Sequence, residues 1–188
     1  MPGPVLSEQA KLTYEDYALF PEDGKRHEII DGVHYMSPAP TIRHQRIVKR
    51  LVVEIELYLR ANPGGEVHVS PTDVVLSNVD VVQPDLLFVS SARAAVTTEK
   101  NIQGAPDLAV EVLSEKTRRV DEVTKRRRYE QFGVQEYWVV DPELESVRLY
   151  RMQEGRFERA ADLTIERQDI LSTPLLPGLV IPLSKIFA

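Results

Sequence analysis

Between Pro106 and Ser114 the chain reads Asp-Leu-Ala-Val-Glu-Val-Leu. In an extended strand Leu108, Val110 and Val112 fall on one face, and Asp107, Ala109, Glu111 and Leu113 on the other. A strand fully apolar on one face and interrupted only by acids on the other belongs inside a covered sheet. Glu111 is therefore an acid in a strand otherwise built for burial, where an unpaired charge is costly. One segment thus constrains both the fold and the chemistry.

The neighbouring pattern supplies the covering layers. Thr41 reads as an N-cap, and a long helix runs from it to Asn62, closed by Pro63-Gly64-Gly65. Val48, Leu51, Val52, Ile55, Tyr58 and Leu59 share one face of this helix, with His44 at its start and Arg43, Arg46, Lys49 and Arg50 roughly opposite. That basic stripe points to a surface or subunit contact and not to catalysis; a homo-oligomer, in the form of a dimer, is the expected partner. Strands are expected at 66–70 and 72–76, read together as one strand around Pro71, at Leu86–Val89 and at Asp107–Leu113. A charged helix follows through Phe132 to Gly133, then a strand over Gln135–Val140. Helix, three strands, helix and strand predict an α/β (α+β) fold, a mixed sheet flanked by two helices. Hairpins are added at both ends, one turning at Asp31-Gly32 and one near Glu154-Gly155. A short helix opens at Thr13, residues 91–106 form a connector, and the proline-rich tail reads as irregular packing.

Length and composition bound the rest. The chain has 188 residues, 43% of them hydrophobic and 28% charged, and fits one domain over 1–188 with a core at about 41–141. The net charge of −6 gives no general attraction to nucleic acid, and the absence of Cys excludes disulfides, thiolate zinc sites and thiol nucleophiles. No phosphate-binding glycine loop, GxSxG or HExxH occurs. The start has no signal-peptide pattern and no apolar run reaches the ~20 residues of a membrane span, so a cytoplasmic location is expected.

What remains is a carboxylate arrangement. Asp85 begins one strand and Glu111 lies within another. Two acids converging from adjacent strands would be relieved by a divalent cation, Mg²⁺ or Mn²⁺ given hard oxygen ligands, or else by pairing with arginine. Glu28 is a candidate third carboxylate or an edge-strand acid beside Arg26. His44 faces inward, either to a phosphate or water or as a hydrogen-bonded core histidine. Gln83 and Asp107 are placed at the cleft, and Asp73 is structural. Trp138 and Tyr137 belong to the core. The seven cations of Lys116–Arg128 form either a phosphate path or a solvated helix face.

Gln83-Pro84-Asp85, Pro106-Asp107-Leu-Ala-Val-Glu111-Val-Leu-Ser114, Lys125-Arg-Arg-Arg-Tyr129 and Gly133-Val-Gln-Glu136-Tyr-Trp-Val-Val-Asp141-Pro142 closely resemble the Uma2 family (DUF820). Arg26-His-Glu28-Ile-Ile-Asp31-Gly32, Pro38–Pro40 and His44 fit as well, over roughly residues 13–185. The resemblance implies a PD-(D/E)XK restriction-endonuclease-like fold and a Mg²⁺-dependent endonuclease acting on DNA. It makes Asp85 and Glu111 the metal ligands. The superfamily's lysine two residues after the glutamate is Leu113 here, and the resemblance moves that role to Lys125 on the following helix. Lys125 shares a helix face with Tyr129 and Phe132, and Asp121 lies one turn earlier. Arg128 and Tyr129 join Glu28, His44, Gln83 and Asp107 as supporting or substrate-binding candidates. Leu113 and the acidic net charge favour the rival reading, a degenerate nuclease fold serving as a DNA-binding or protein-interaction module. Hydrolysis of another phosphate ester is a third reading.

Overall fold

The computed structural model describes residues 10–188. Thr13 caps the short helix α1 (Tyr14–Tyr17) through a reciprocal bond with Asp16. Strands β1 (Arg26–Ile30) and β2 (Val33–Ser37) pair antiparallel around Asp31 and Gly32. Both turn residues have positive φ, 54° and 73°, which a two-residue hairpin turn requires. The Thr41 hydroxyl caps α2 (Ile42–Ala61), which buries His44, Ile47, Val48, Leu51, Ile55 and Leu59.

Strands β3 (Gly65–Val69), β4 (Val74–Ser77), β5 (Asp80–Val82) and β6 (Leu86–Ser90) follow. The connector holds a 3₁₀ turn at Ser91–Val96 and the two-residue strand β7 (Ile102–Gln103). After β8 (Leu108–Val112) comes a π-helical turn, Val120–Lys125, continuous with α3 (Arg126–Gln131). The chain ends in β9 (Glu136–Asp141), β10 (Ser146–Gln153), β11 (Arg156–Thr164), the paired strands β12 (Ile170–Leu171) and β13 (Ile181–Pro182), and α4 (Leu183–Phe187).

The central sheet has the order β11-β10-β9-β8-β6-β3. It is antiparallel except between β8 and β9, whose parallel pairing is made possible by the crossover through the π turn and α3. Side-chain alternation divides the core between its two faces. Leu86, Phe88, Leu108, Val110, Val112, Trp138 and Val140 pack with α2 and α4. Leu87, Val89, Ala109, Leu113, Tyr137 and Val139 pack on the other side, against Tyr129 of α3.

That second face differs from the sequence expectation. It is covered by a helix and by a second sheet, ordered β2-β1-β5-β4-β7, which contributes Ile30, Val74, Val82 and Ile102. The N-terminal hairpin builds this sheet and does not extend the central one. β5 escaped the sequence reading because its turn, Asn78-Val79, has no glycine to mark it. The tail is more regular than expected: Leu171, Leu176, Leu179, Ile181, Ile186 and Phe187 close the core beneath α2. Among the described residues no helix is long and apolar enough to cross a membrane.

Candidate active site

β6 and β8 pair with Leu86 opposite Val110 and Leu87 opposite Ala109. One step further along that register, Asp85 stands across from Glu111, where directly opposed residues share a face of the sheet. Both are buried. The β6–β8 pairing therefore brings the two sequence-predicted acids together.

Asp85 is held from three directions. Its Oδ1 accepts from Arg26 Nη1 at 2.6 Å, and its Oδ2 lies 3.0 Å from His44 Nε2 and accepts the Val112 amide at 2.8 Å. Burial pushes the carboxyl upward, but the His44 bond, the His44 and Arg26 charges and the Val112 amide together hold it below the usual aspartate range. Arg26 comes from β1, where alternation sets it on the same face as Glu28.

Lys125 forms the second half of the cluster. Its ammonium is 2.8 Å from Glu28 Oε1, 3.0 Å from Glu111 Oε1 and 3.6 Å from Asp121 Oδ1. Only 2% of the residue is exposed. The Tyr129 hydroxyl donates to the same Glu111 oxygen at 3.0 Å, and the Gln83 amide donates to Glu28 Oε1 at 2.6 Å. Burial would strip the Lys125 proton, but the Glu111, Glu28 and Asp121 charges outweigh it and raise the ammonium above the ordinary lysine range. Burial likewise pushes Glu111 well above the usual glutamate value and Asp121 up to about 6.

The buried charges do not balance. Asp85, Glu111, Glu28 and Asp121 bring four negative charges if all are ionised, and Arg26 and Lys125 bring two positive ones. The remaining −2 must be met by protons or by a cation. A divalent ion fits both the deficit and the hard carboxylate donors. No group of three His, Cys, Asp or Glu side chains converges as a complete metal cage among the described residues. Asp85 and Glu111 are the carboxylates that would hold such an ion, and Mg²⁺ can be bound through only one or two.

Two open clefts reach this cluster. One, of about 440 Å³, is lined by Arg26, Arg43, His44, Leu113, Lys116 and Thr117. The other, of about 460 Å³, includes Arg26, His44, Ser70, Pro71 and Asp85. Arg26 and His44 stand between them.

Asp85, Glu111, Lys125, Glu28, His44 and Tyr129 come together in one cluster. Gln83 touches it through its backbone, while its side chain bonds Tyr17 and Asp73. Asp107 does not join. It lies four residues, about 13 Å, from Glu111 along the strand, and its Oδ2 accepts the Ser90 amide at 2.7 Å. Arg128 is also elsewhere, bound to Asp31 and Asp80 so that α3 is tied to the second sheet. The cations around it are largely spoken for as well: Arg118 pairs with Asp141, and Arg126 stacks over Tyr150. Leu113 packs in the core, and so do Trp138 and Tyr137.

Two members were absent from the sequence prediction of the site. Asp121 had a signal, its i,i+4 spacing to Lys125, but that spacing also describes an exposed pair. Arg26 had only its alternation with Glu28.

A mixed sheet backed by a long helix, with acids on adjacent strands and a lysine on the crossover helix, defines a nuclease-like fold. The chain belongs to the Uma2 family, described as "Putative restriction endonuclease", whose model matches residues 14–184. It is also similar to the crystal structure of "a putative nuclease belonging to DUF820" from Anabaena variabilis. The TM-score is 0.78 at 20% identity, covering 93% of this chain and 97% of that one, which establishes likeness of fold. No curated protein matches the chain.

Proposed function

We propose that the protein is a cytoplasmic, metal-dependent endonuclease that hydrolyses DNA phosphodiester bonds, with Asp85 and Glu111 holding Mg²⁺ or Mn²⁺. The observation that carries this reading is the placement of Lys125, whose ammonium lies against Glu111 and Glu28 although the usual lysine position is Leu113. A bound divalent ion would supply Lewis acidity for the attack of water on phosphorus.

The chain's own groups take the other roles. Lys125 keeps its proton, so it acts as a fixed positive charge for the developing phosphate charge and not as a base for the water. Tyr129 is a phenol held well above its ordinary pKa by burial and by Glu111, and it orients the Glu111 carboxylate as a donor. His44 fixes Asp85 from α2. Arg43 and Lys116 line the first cleft, where they can meet the phosphate backbone.

The rival reading, a binding module on a degenerate fold, draws on two observations: Leu113 is committed to the core, and Arg26 already neutralises Asp85. Cleavage of single- and double-stranded DNA with Mg²⁺ or Mn²⁺ separates the two. Parent activity that falls at least ~10²-fold in Asp85→Asn and in Lys125→Ala, with DNA binding kept within about threefold, supports the enzyme. Equal cleavage by parent and variants, or DNA binding without any cleavage, refutes it.

A further inference from the structure

Arg26 occupies a position that a structural salt bridge alone does not explain. One terminal nitrogen, Nη1, does all of its bonding. It lies 2.6 Å from Asp85 Oδ1, 3.2 Å from Ser70 Oγ and 3.5 Å from the Gln83 carbonyl. Meanwhile Nε is buried with no partner among the described residues. A guanidinium placed only to stabilise would be expected to spend its other donors too, since an unsatisfied buried donor is costly.

Asp85 supplies the second half of the argument. Its Oδ2 is already filled by His44 and the Val112 amide, so Oδ1 is the oxygen open to a further ligand, and Arg26 sits on it. The side chain also has somewhere to go, because it is 20% exposed and lines both clefts. His44, which shares both clefts with it and is 6% exposed, has no partner for Nδ1 among the described residues. Two buried ring or guanidinium nitrogens at the junction of the two clefts thus lack partners among the described residues.

We propose that Arg26 is a displaceable counter-ion for Asp85, which closes Oδ1 in the absence of metal and swings into the cleft when a divalent cation binds. This rests on the assignment of Asp85 as a metal ligand. Arg26 is then a gating residue that sets cation affinity, not a group that reacts. Its departure into the cleft would place a guanidinium beside the path of an incoming phosphate, so cation entry and anion binding would be coupled.

The test is calorimetric titration of Mn²⁺ into the full chain without DNA, using the parent, Arg26→Met and Asp85→Asn. Arg26→Met should bind Mn²⁺ at least tenfold more tightly than the parent, and Asp85→Asn should lose binding. Equal or weaker binding by Arg26→Met, with binding still lost in Asp85→Asn, overturns the gate and leaves the metal site standing. Retained binding in Asp85→Asn, or no binding by either parent or Arg26→Met, overturns both. If Arg26→Met fails to fold, the Nε–H resonance of Arg26 in the ¹⁵N-labelled parent decides the matter. It should shift saturably with added Mg²⁺, and a resonance unmoved at saturating Mg²⁺ overturns the proposal.

Discussion

Replacing Lys125 by Met keeps the length of the side chain and removes its charge. In the parent that charge faces Glu28, Glu111 and Asp121 at 2.8, 3.0 and 3.6 Å, with every partner buried. Taking one partner from a buried pair costs about 3–5 kcal/mol, because the other charge is stranded. At about 2–4 °C per kcal/mol for a chain of this size, Lys125→Met should melt about 6–20 °C lower at pH 7.5. The loss should depend on pH, and its sign follows from the proton count. Even with Lys125 present, burial holds Glu111 well above its ordinary value and Asp121 at about 6. Without the ammonium both rise further. Between the unfolded and folded values the native state binds more protons than the unfolded state, so stability falls as pH rises. At pH 5 Asp121 is mostly protonated in the fold and Glu111 lies nearer its neutral form than at pH 7.5, so part of the deficit should be recovered. Urea unfolding of parent and variant at pH 5 and pH 7.5 measures it. A variant as stable as the parent at pH 7.5, or one equally impaired at both pH values, would refute the charge accounting.

Asp121→Asn should flatten the decline in parent stability between about pH 4 and pH 6, a span that the rise from 3.8 to about 6 makes worth ~3 kcal/mol; an unchanged pH profile would show that Asp121 is not the titrating group. Relief of carboxylate repulsion would leave Asp85→Asn as stable as the parent, but the geometry argues the reverse. Asp85 is the counter-ion of Arg26 and sits below its ordinary pKa, so thermal melting of this variant should fall even though cleavage is the larger loss. Gly32→Ala should cost about 1–2 kcal/mol in denaturant unfolding, because φ is +73° and a Cβ there would lie 2.4 Å from Lys11 Cβ; a change below ~0.5 kcal/mol would mean the turn rearranges.

Much of the central scaffold was legible because its signals are local. Thr41 capping a helix that ends at Pro63-Gly64, the Asp31-Gly32 turn and the two-face apolar pattern of 107–113 each fix an element within a few residues. The pairing of Asp85 with Glu111 follows once the two strands are neighbours. What the chain conceals is how its layers fold over each other. Nothing between Arg26 and Ile30 says that this strand joins β5 and β4 in a separate sheet, yet that sheet is what carries Arg26 to Asp85 and Glu28 to Lys125. Asp107 misled for the converse reason: it alternates onto the face of Glu111, but four residues of strand separate them and the Ser90 amide claims it.

The turn that carries Asp121 is π-helical. A π turn carries one more residue between hydrogen-bonded partners than an α turn, and such segments mark functional sites more often than chance. Here it spans Val120–Lys125, so the two inward residues are its second and last, and both are buried while Glu122 between them pairs outward with Arg148. A sequence written in α-helical periodicity gives no sign of that extra residue. The consequence is chemical. With Asp121 turned inward, Lys125 is shared among three carboxylates instead of two, so the buried acids outnumber Arg26 and Lys125 by two when all are ionised. Burial answers part of that excess with protons, pushing Glu111 well above its ordinary value and Asp121 up to about 6, so the third carboxylate is where the cluster responds first to pH.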